Sequence, residues 1–334
     1  MREVAELNGD GIASELRDAI HAINEALGSP IGFRPVDWSL EKRESGTAAI
    51  DEGMELTREL GAAMKYPTVT QTVSPNQLMR DRLGLSVIHR PCRSYPGVST
   101  NYTGNIDLHV VRVATGGTYE DAGMNIGYHS AVSIRVMERT PVEHAAHFAF
   151  RLAERGRHNV VSTSKYTIQR AADGLFEDVI AEVAKEYRNT THTKELFDSL
   201  LAKLIIKPER FHVIVTPNEY GDFLSDMVYG LIGSIGLGAS ASYAFTPSHQ
   251  PSIGIFDPAG GTAPDIAGKG IANPSGAIEA FGYLLEYCGH FDMGSRLINA
   301  VHDCIGSNEK TGDLGGKLNT MEFTKAVVAR TVAQ

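Results

Sequence analysis

Asp222 and Asp226 stand four residues apart in Asn218-Glu-Tyr-Gly-Asp-Phe-Leu-Ser-Asp226. On a helix that spacing puts both carboxylates on one face. Two such charges repel unless something positive sits between them, and a hard divalent cation takes oxygen ligands. The plainer alternative is an Asp near a helix N-terminus and a second, solvated Asp one turn later; on this stretch alone it is the stronger of the two. Arg80 and Arg90 are ten residues apart, Arg93 follows closely, and Arg112 closes the apolar run Asp107-Leu-His-Val-Val-Arg112. Guanidinium forks suit paired carboxylates, so these arginines read as an anion clamp or as unrelated surface charges. Tyr119, after the glycine turn Ala114-Thr-Gly-Gly-Thr, is a packed ring or a proton donor. Lys165, just past the strand-like His158-Asn-Val-Val-Ser162, is a surface lysine or one whose pKa burial lowers.

The elements that must hold these groups alternate strand and helix. Residues 3–7 read as a strand, Asn8-Gly-Asp-Gly-Ile12 as a turn, and Ala13 to Leu27 as an amphipathic helix, an α/β start. The turn is not Gly-x-Gly-x-x-Gly, so a Rossmann reading is weak. Helices are expected at 48–64, 79–85, 142–155, 175–187, 194–206 (carrying Asp198), 277–288 and 294–305, and again from Thr320. Strands are expected at 85–89, leaving Arg90 at a strand end, and at 107–112, 131–137, 158–162, 211–216 and 252–256. Thr68 to Pro75 reads as an extended loop, residues 233–240 as a small-residue segment, and Asp257 to Pro274 as a long ordered loop. No internal repeat or flexible linker interrupts the pattern.

The bulk numbers narrow the function classes. At 334 residues with 42% hydrophobic content, the chain has enough apolar material for a substantial core. A net charge of −9 argues against nucleic-acid binding through bulk positive charge, so an anionic substrate needs a local arginine cluster. Three widely spaced cysteines, Cys92, Cys288 and Cys304, fit a reducing compartment and neither a disulfide framework nor a zinc site. With no signal peptide and no membrane-spanning apolar run, the expectation is a cytoplasmic location without membrane partners.

In this order the segments resemble the decarboxylating β-hydroxyacid dehydrogenases, the isocitrate, isopropylmalate and homoisocitrate dehydrogenases, over nearly the whole chain. Asn8-Gly-Asp-Gly-Ile12 is similar to the family's N-terminal turn. Asn218 to Asp226 matches its N-x-Y-G-D-x-x-S-D signature, and Gly261 to Pro274 matches its cofactor loop almost letter for letter. The resemblance implies a two-domain α/β fold that is not Rossmann. Residues 1–97 and 233–334 would form the large domain, and 98–232 the small, dimerising one. It implies a homodimer with shared active sites. Arg80, Arg90 and Arg112 would clamp the malate carboxylates. Tyr119 would be the catalytic tyrosine, and Lys165 the catalytic lysine from the other subunit. Asp222 and Asp226 would bind magnesium or manganese with Asp198 from across the dimer, and Asp198 would also assist the lysine. Gly261, Thr262, Ala263, Asp265, Ile266 and Asn273 would contact NAD, with Asp265 on the adenosine ribose and repelling a 2′-phosphate. The implied chemistry removes the 2-hydroxyl proton to a base as hydride leaves C2. A Lewis-acidic ion then assists loss of carbon dioxide, and Tyr119 protonates C3.

The chain also departs from the family pattern. Gly260 stands where a histidine precedes the Gly-Ser/Thr-Ala-Pro run, which removes an adenine contact. Tyr166-Thr167 follows the lysine in place of Ala-Asn, so the Thr167 hydroxyl would substitute for an asparagine at the substrate or nicotinamide. Val113 replaces a common glutamate, and the loop from 67 to 77 is short. Ser74-Pro-Asn76 followed by Arg80 keeps the Ser-x-Asn-x-x-x-Arg spacing that reaches a distal acid in isocitrate enzymes. An isopropyl arm would leave those polar groups unpaired. The substrate expected is therefore a 3-substituted malate with a third acidic arm: isocitrate, or an analogue such as homoisocitrate or a phosphonomethylmalate. The alternatives are an isopropylmalate or a malate/tartrate-type enzyme, or a non-catalytic regulatory subunit of an isocitrate dehydrogenase. The last conflicts with the presence of Tyr119, Lys165, Asp198, Asp222 and Asp226 together.

Overall fold

The computed structural model describes residues 1–71, 74–100, 102–120, 122–156 and 159–333. His158, expected to open a strand, and two residues of the 68–75 loop lie outside them. The strands in chain order are β1 (Arg2–Asn8), β2 (Ile31–Asp37), β3 (Ala62–Lys65), β4 (Val87–Arg93), β5 (Asp107–Val113), β6 (Gly123–Ile126), β7 (Ser130–Ser133), β8 (Val160–Ser164), β9 (His192–Leu196), β10 (Val213–Thr216), β11 (Ala239–Phe245) and β12 (Pro251–Pro258). Ten of them form one sheet in the order β2-β1-β3-β12-β11-β4-β5-β10-β8-β9, and β6 and β7 pair separately.

Both flanks of the sheet are parallel, and they meet at an antiparallel seam, β12-β11-β4-β5. The strands beside β5 are drawn from residues 107–216, and those from β4 outward from residues 2–93 and 239–258. The expected crossings near 97 and 233 thus fall between β4 and β5 and between β10 and β11.

Helices cover both faces of each half. On one face, helices Ala48–Leu60 and Pro75–Leu83 bury Ile50, Met54 and Met79 against Leu7, Ala63 and Ile255. Helix Asn218–Ile232 buries Leu224 and Val228 over Val110 and Ile214 on the same side of the other half. On the opposite face, helices Arg139–Gly156 and Ala172–Ala184 enclose Val111, Val113, Val213 and Val215. Helices Ala13–Ala26, Ser275–Tyr287, Phe291–Gly306 and Thr320–Ala333 cover the rest. Burying these side chains stabilises each by about 1.5–3 kcal/mol relative to exposure. Among the described residues, no helix is long and apolar enough to cross a membrane.

Several elements differ from the sequence reading. The helix expected over 48–64 ends at Leu60, because Gly61 takes a left-handed turn (φ 72°) and Ala62–Lys65 joins the sheet as β3. Arg90 lies inside β4, not at its end, since the strand continues through Pro91 to Arg93. Residues 194–196 are strand, pairing with β8, and the helix begins at Phe197. The strand expected over 131–137 is the shorter β7 of an exposed hairpin. The small-residue segment at 233–240 runs into β11, at the centre of the sheet.

Candidate active site

Beside the antiparallel seam, between helix Pro75–Leu83 and helix Asn218–Ile232, lies a cavity of about 240 Å³. Ser74 caps the first helix, its hydroxyl accepting the Gln77 N–H at 3.4 Å with Pro75 in the first turn, and this sets Ser74, Asn76 and Arg80 along the cavity. β4 contributes Ile88 and Arg90, β5 Arg112, the glycine turn Tyr119, and the second helix Asp222. Seven residues singled out from sequence therefore share one wall.

The wall is an arginine cluster balanced by one carboxylate. Arg112 is buried; its Nε donates to Asn218 Oδ1 at 2.9 Å and its Nη1 to Asp222. Burial, and then the neighbouring Arg90 charge, hold its pKa at about 10 in spite of Asp222. Arg90 donates through Nη1 to Ser225 Oγ at 2.6 Å and lies 3.3 Å from both Asp222 and Asp226. Its Nε is buried and has no hydrogen-bond partner among the described residues. Burial alone would raise the Asp222 pKa, but the charges of Arg112 and Arg90 with the Tyr119 hydrogen bond bring it below its ordinary value. Tyr119 donates to Asp222 Oδ2 at 3.0 Å, and burial with the Asp222 charge pushes its phenol above 10. It therefore carries its proton at neutral pH.

Lys165 and Asp198 make a second cluster that does not line this cavity. Lys165 Nζ donates to Asp198 Oδ1 at 2.6 Å, and that bond lowers the Asp198 pKa. The Lys165 side chain is 33% exposed, between the surface and buried readings, because it reaches outward to Asp198, itself 65% exposed. Its backbone N–H is held by the fully buried Asp173, which Arg135 grips with two hydrogen bonds. Thr167 is exposed beyond it. Among the described residues of one chain, no three His, Cys, Asp or Glu side chains gather closely enough to hold a metal ion. Asp222 and Asp226 offer two hard oxygen donors one turn apart, which suits such an ion only if a third comes from elsewhere.

The loop after β12 is fixed to the N-terminal turn. Ile12 N–H donates to the Thr262 carbonyl at 3.0 Å, and a Cβ on Gly11 (φ 61°) would lie 2.0 Å from that oxygen. Only glycine permits this approach. Asp10 ties the turn down by accepting from Leu40 N, Val69 N and Arg43 Nη2 at 2.6–2.8 Å. Ala263, in an αL-like conformation (φ 39°), and Ile266 close a turn of the loop, Ile266 N–H reaching the Ala263 carbonyl. No atom lies within 4 Å of a Cβ on Gly261, so the backbone there is open to a ligand. Asp265 is exposed, and Asn273 Nδ2 donates to Asp313 at 2.9 Å.

Residues 3–327 match the isocitrate/isopropylmalate dehydrogenase family. The chain belongs to that family. It is 35% identical to the 3-isopropylmalate dehydrogenase of Archaeoglobus fulgidus, covering 98% of this chain and 99% of that one. It is 33% identical to subunit 2 of the mitochondrial NAD isocitrate dehydrogenase of Schizosaccharomyces pombe, over 98% of this chain and 87% of the relative. The solved isocitrate dehydrogenase of Methylococcus capsulatus superposes with a TM-score of 0.90 at 31% identity, over 99% of both chains. As a member of the isocitrate/isopropylmalate dehydrogenase family, the chain is an NAD-dependent decarboxylating dehydrogenase.

This family member also carries site residues that the sequence reading passed over. Ser240, Ser242 and Asp257 line the cavity from β11 and β12, and Lys65 lies 3.3 Å from Asp257. The alternation Ser240-Ala-Ser242 was the available signal, hidden because the segment read as small-residue packing. Asn218 and Ser225, inside the aspartate stretch itself, orient Arg112 and Arg90. Glu219, buried beneath Gly117, pairs with Arg135 and holds the turn that presents Tyr119.

Proposed function

We propose that the chain oxidises and decarboxylates a 3-substituted malate with a third acidic arm, isocitrate or a close analogue such as homoisocitrate or a phosphonomethylmalate. The observation that carries this is the cavity wall, where Ser74, Asn76 and Arg80 meet Arg90 and Arg112. The three arginines are assigned to the malate carboxylates, and the Ser74 hydroxyl and Asn76 amide to the distal acid. A second reading, an isopropyl arm, is favoured by Met79, Leu85, Ile88 and Ile255 in the same cavity. The acidic arm is preferred because an isopropyl group would leave the polar wall unpaired at about 1–3 kcal/mol for each buried group.

In this reading Arg112 and Arg90 orient the malate core, and Tyr119 supplies the proton that C3 takes up after carbon dioxide leaves. The base for the 2-hydroxyl is the partner subunit's Lys165, with the partner's Asp198 beside it. Magnesium or manganese would be held by Asp222, Asp226 and the partner's Asp198, and when bound supplies Lewis-acid polarisation of the substrate oxygen. NAD would lie along Gly261, Thr262, Ala263, Asp265, Ile266 and Asn273, with Asp265 on the ribose hydroxyls. The 98–232 segment is taken as the dimerising domain, with the remainder as the large one. A homodimer is supported by the β6–β7 hairpin, which exposes Met124, Ile126, Tyr128 and Val132 together.

The test is NAD reduction by purified protein with magnesium or manganese against isocitrate, homoisocitrate, isopropylmalate, D-malate and a phosphonomethylmalate. Turnover with an acidic-armed substrate is expected. Turnover of isopropylmalate alone would remove the role given to Ser74 and Asn76.

A further inference from the structure

A second cavity lies behind the same strands. Side chains alternate across a strand. The strands that turn Ile88, Arg90, Arg112, Ser240 and Ser242 toward the front cavity turn His89, His109 and Tyr243 the other way. There they line a cavity of about 460 Å³, inside the range of roughly 300–1,000 Å³ usual for small-molecule sites. Its walls are rings. Phe148 lies 5.4 Å from His89 and 5.1 Å from Tyr243, centroid to centroid. Tyr283 meets His89 edge-on at 5.8 Å, and Tyr287 lies 6.1 Å from Tyr243. Phe148 belongs to helix Arg139–Gly156 and Tyr283 and Tyr287 to helix Ser275–Tyr287, so the cavity bridges the two halves of the sheet.

Its polar groups differ in what they already hold. His89 Nε2 and His109 Nδ1 share a hydrogen bond at 2.9 Å, and burial pushes the His89 imidazole well below 6.5, leaving it neutral. Glu286 accepts from the Ser295 hydroxyl at 2.9 Å, and Arg151 donates to the His249 carbonyl. Tyr243 is 7% exposed, and its hydroxyl makes no hydrogen bond with a described residue. Arg155, at the rim, makes no hydrogen bond or ion pair with a described residue, though its charge acts on Glu286 and draws that pKa down against the larger effect of burial. Ring walls, an unpaired phenol and two arginines against the single carboxylate of Glu286 match one chemistry: a flat aromatic body with an anionic end.

We propose that this rear cavity binds an aromatic carboxylate, its ring between Phe148 and the tyrosines and its carboxylate shared by Arg155 and the Tyr243 hydroxyl. Such a ligand touches both halves and the reverse side of β4 and β11, so its occupancy sets the opening of the front cavity. That coupling rests on the front cavity being the substrate site; the binding itself does not.

The test is calorimetry on the full chain with 2-naphthoate, and with 2-naphthylmethanol as the neutral counterpart. Saturable binding of one naphthoate per chain is expected, undisplaced by D-malate. The alcohol, and naphthoate on the Arg155→Gln variant, should bind about tenfold or more weakly, because a charge-assisted bond is lost. Tyr243→Phe should weaken naphthoate about three- to tenfold. Saturating naphthoate should also shift KM for the turned-over substrate in the native protein and not in Arg155→Gln. Absence of saturable binding, displacement by D-malate, or binding indifferent to both substitutions overturns the site. Binding with an unchanged KM overturns the coupling. If no malate derivative turns over, the proposed reaction falls, and calorimetry still decides the site.

Discussion

Arg112→Lys tests the front cavity most directly, since it keeps the charge and removes the fork. Arg112 is 3% exposed and uses two nitrogens in fixed directions, Nε to Asn218 and Nη1 to Asp222. A lysine ammonium is a single point and cannot reach both. The loss is one charge-assisted hydrogen bond, worth about 1.5–3 kcal/mol. If the guanidinium grips a substrate carboxylate in two-pronged fashion, the same loss appears in binding. At about 1.4 kcal/mol per factor of ten, that is roughly a 10- to 150-fold rise in KM. Asn218 Oδ1, buried and deprived of its donor, should lower folding stability by about 1–3 kcal/mol. Initial rates of NAD reduction, separated into kcat and KM, give the first quantity, and urea titration followed by circular dichroism gives the second. A KM within twofold of the native value, with stability lowered as expected, would refute the clamp and leave Arg112 a structural residue.

Three further outcomes are expected. Lys165→Met and Tyr119→Phe should each be inactive, yet chains mixed through refolding should regain roughly a quarter of native activity. In a symmetric dimer with shared sites, half the molecules then carry one intact site in two; no recovery would place Lys165 and Tyr119 in the same chain's site. Gly11→Ala should destabilise the protein by at least about 1–2 kcal/mol, because the position is left-handed, and should raise KM for NAD because the Thr262 carbonyl must move. An unchanged melting temperature would contradict that packing. His144, beside Ser86 Oγ at 2.8 Å, has its pKa lowered from 6.5 to about 4 by burial and then by the His249 and His147 charges. The unfolded chain therefore takes up the proton first. The contribution is complete above pH 6.5 and is lost as pH falls through about 4. His144→Gln should flatten the stability profile between those values, as followed by thermal melts across pH.

Local rules made part of this molecule legible. Gly11, Gly61 and Gly84 mark backbone that must turn left-handed, and Ser74-Pro75 marks a helix start. Of these, Gly61 and Gly84 were overlooked: the helix expected over 79–85 stops at Leu83 before the left-handed Gly84, and the apolar pattern of 48–60 runs on without a break into Ala62-Ala-Met64, where only the sheet reveals a strand. Lys194-Glu-Leu196 failed for the same reason: helix and strand periods cannot be told apart over three residues, and pairing with β8 chose the strand.

The sequence by itself determined the chemical inventory: an arginine set, two aspartates at helical spacing, a tyrosine after a glycine turn, and the motif order that marks the family. It could do so because residue type and short spacing are local properties. The tertiary structure alone decided which of these meet. It brought Ser74, Asn76, Arg80, Arg90, Arg112, Tyr119 and Asp222 to one wall and set Lys165 with Asp198 outside it. It also made Asn218, Ser225, Ser240 and Ser242 part of the site. The reason is the antiparallel seam. It places β4 beside β11 although about 150 residues separate them along the chain, a pairing fixed by burial over the whole sheet and by no local signal.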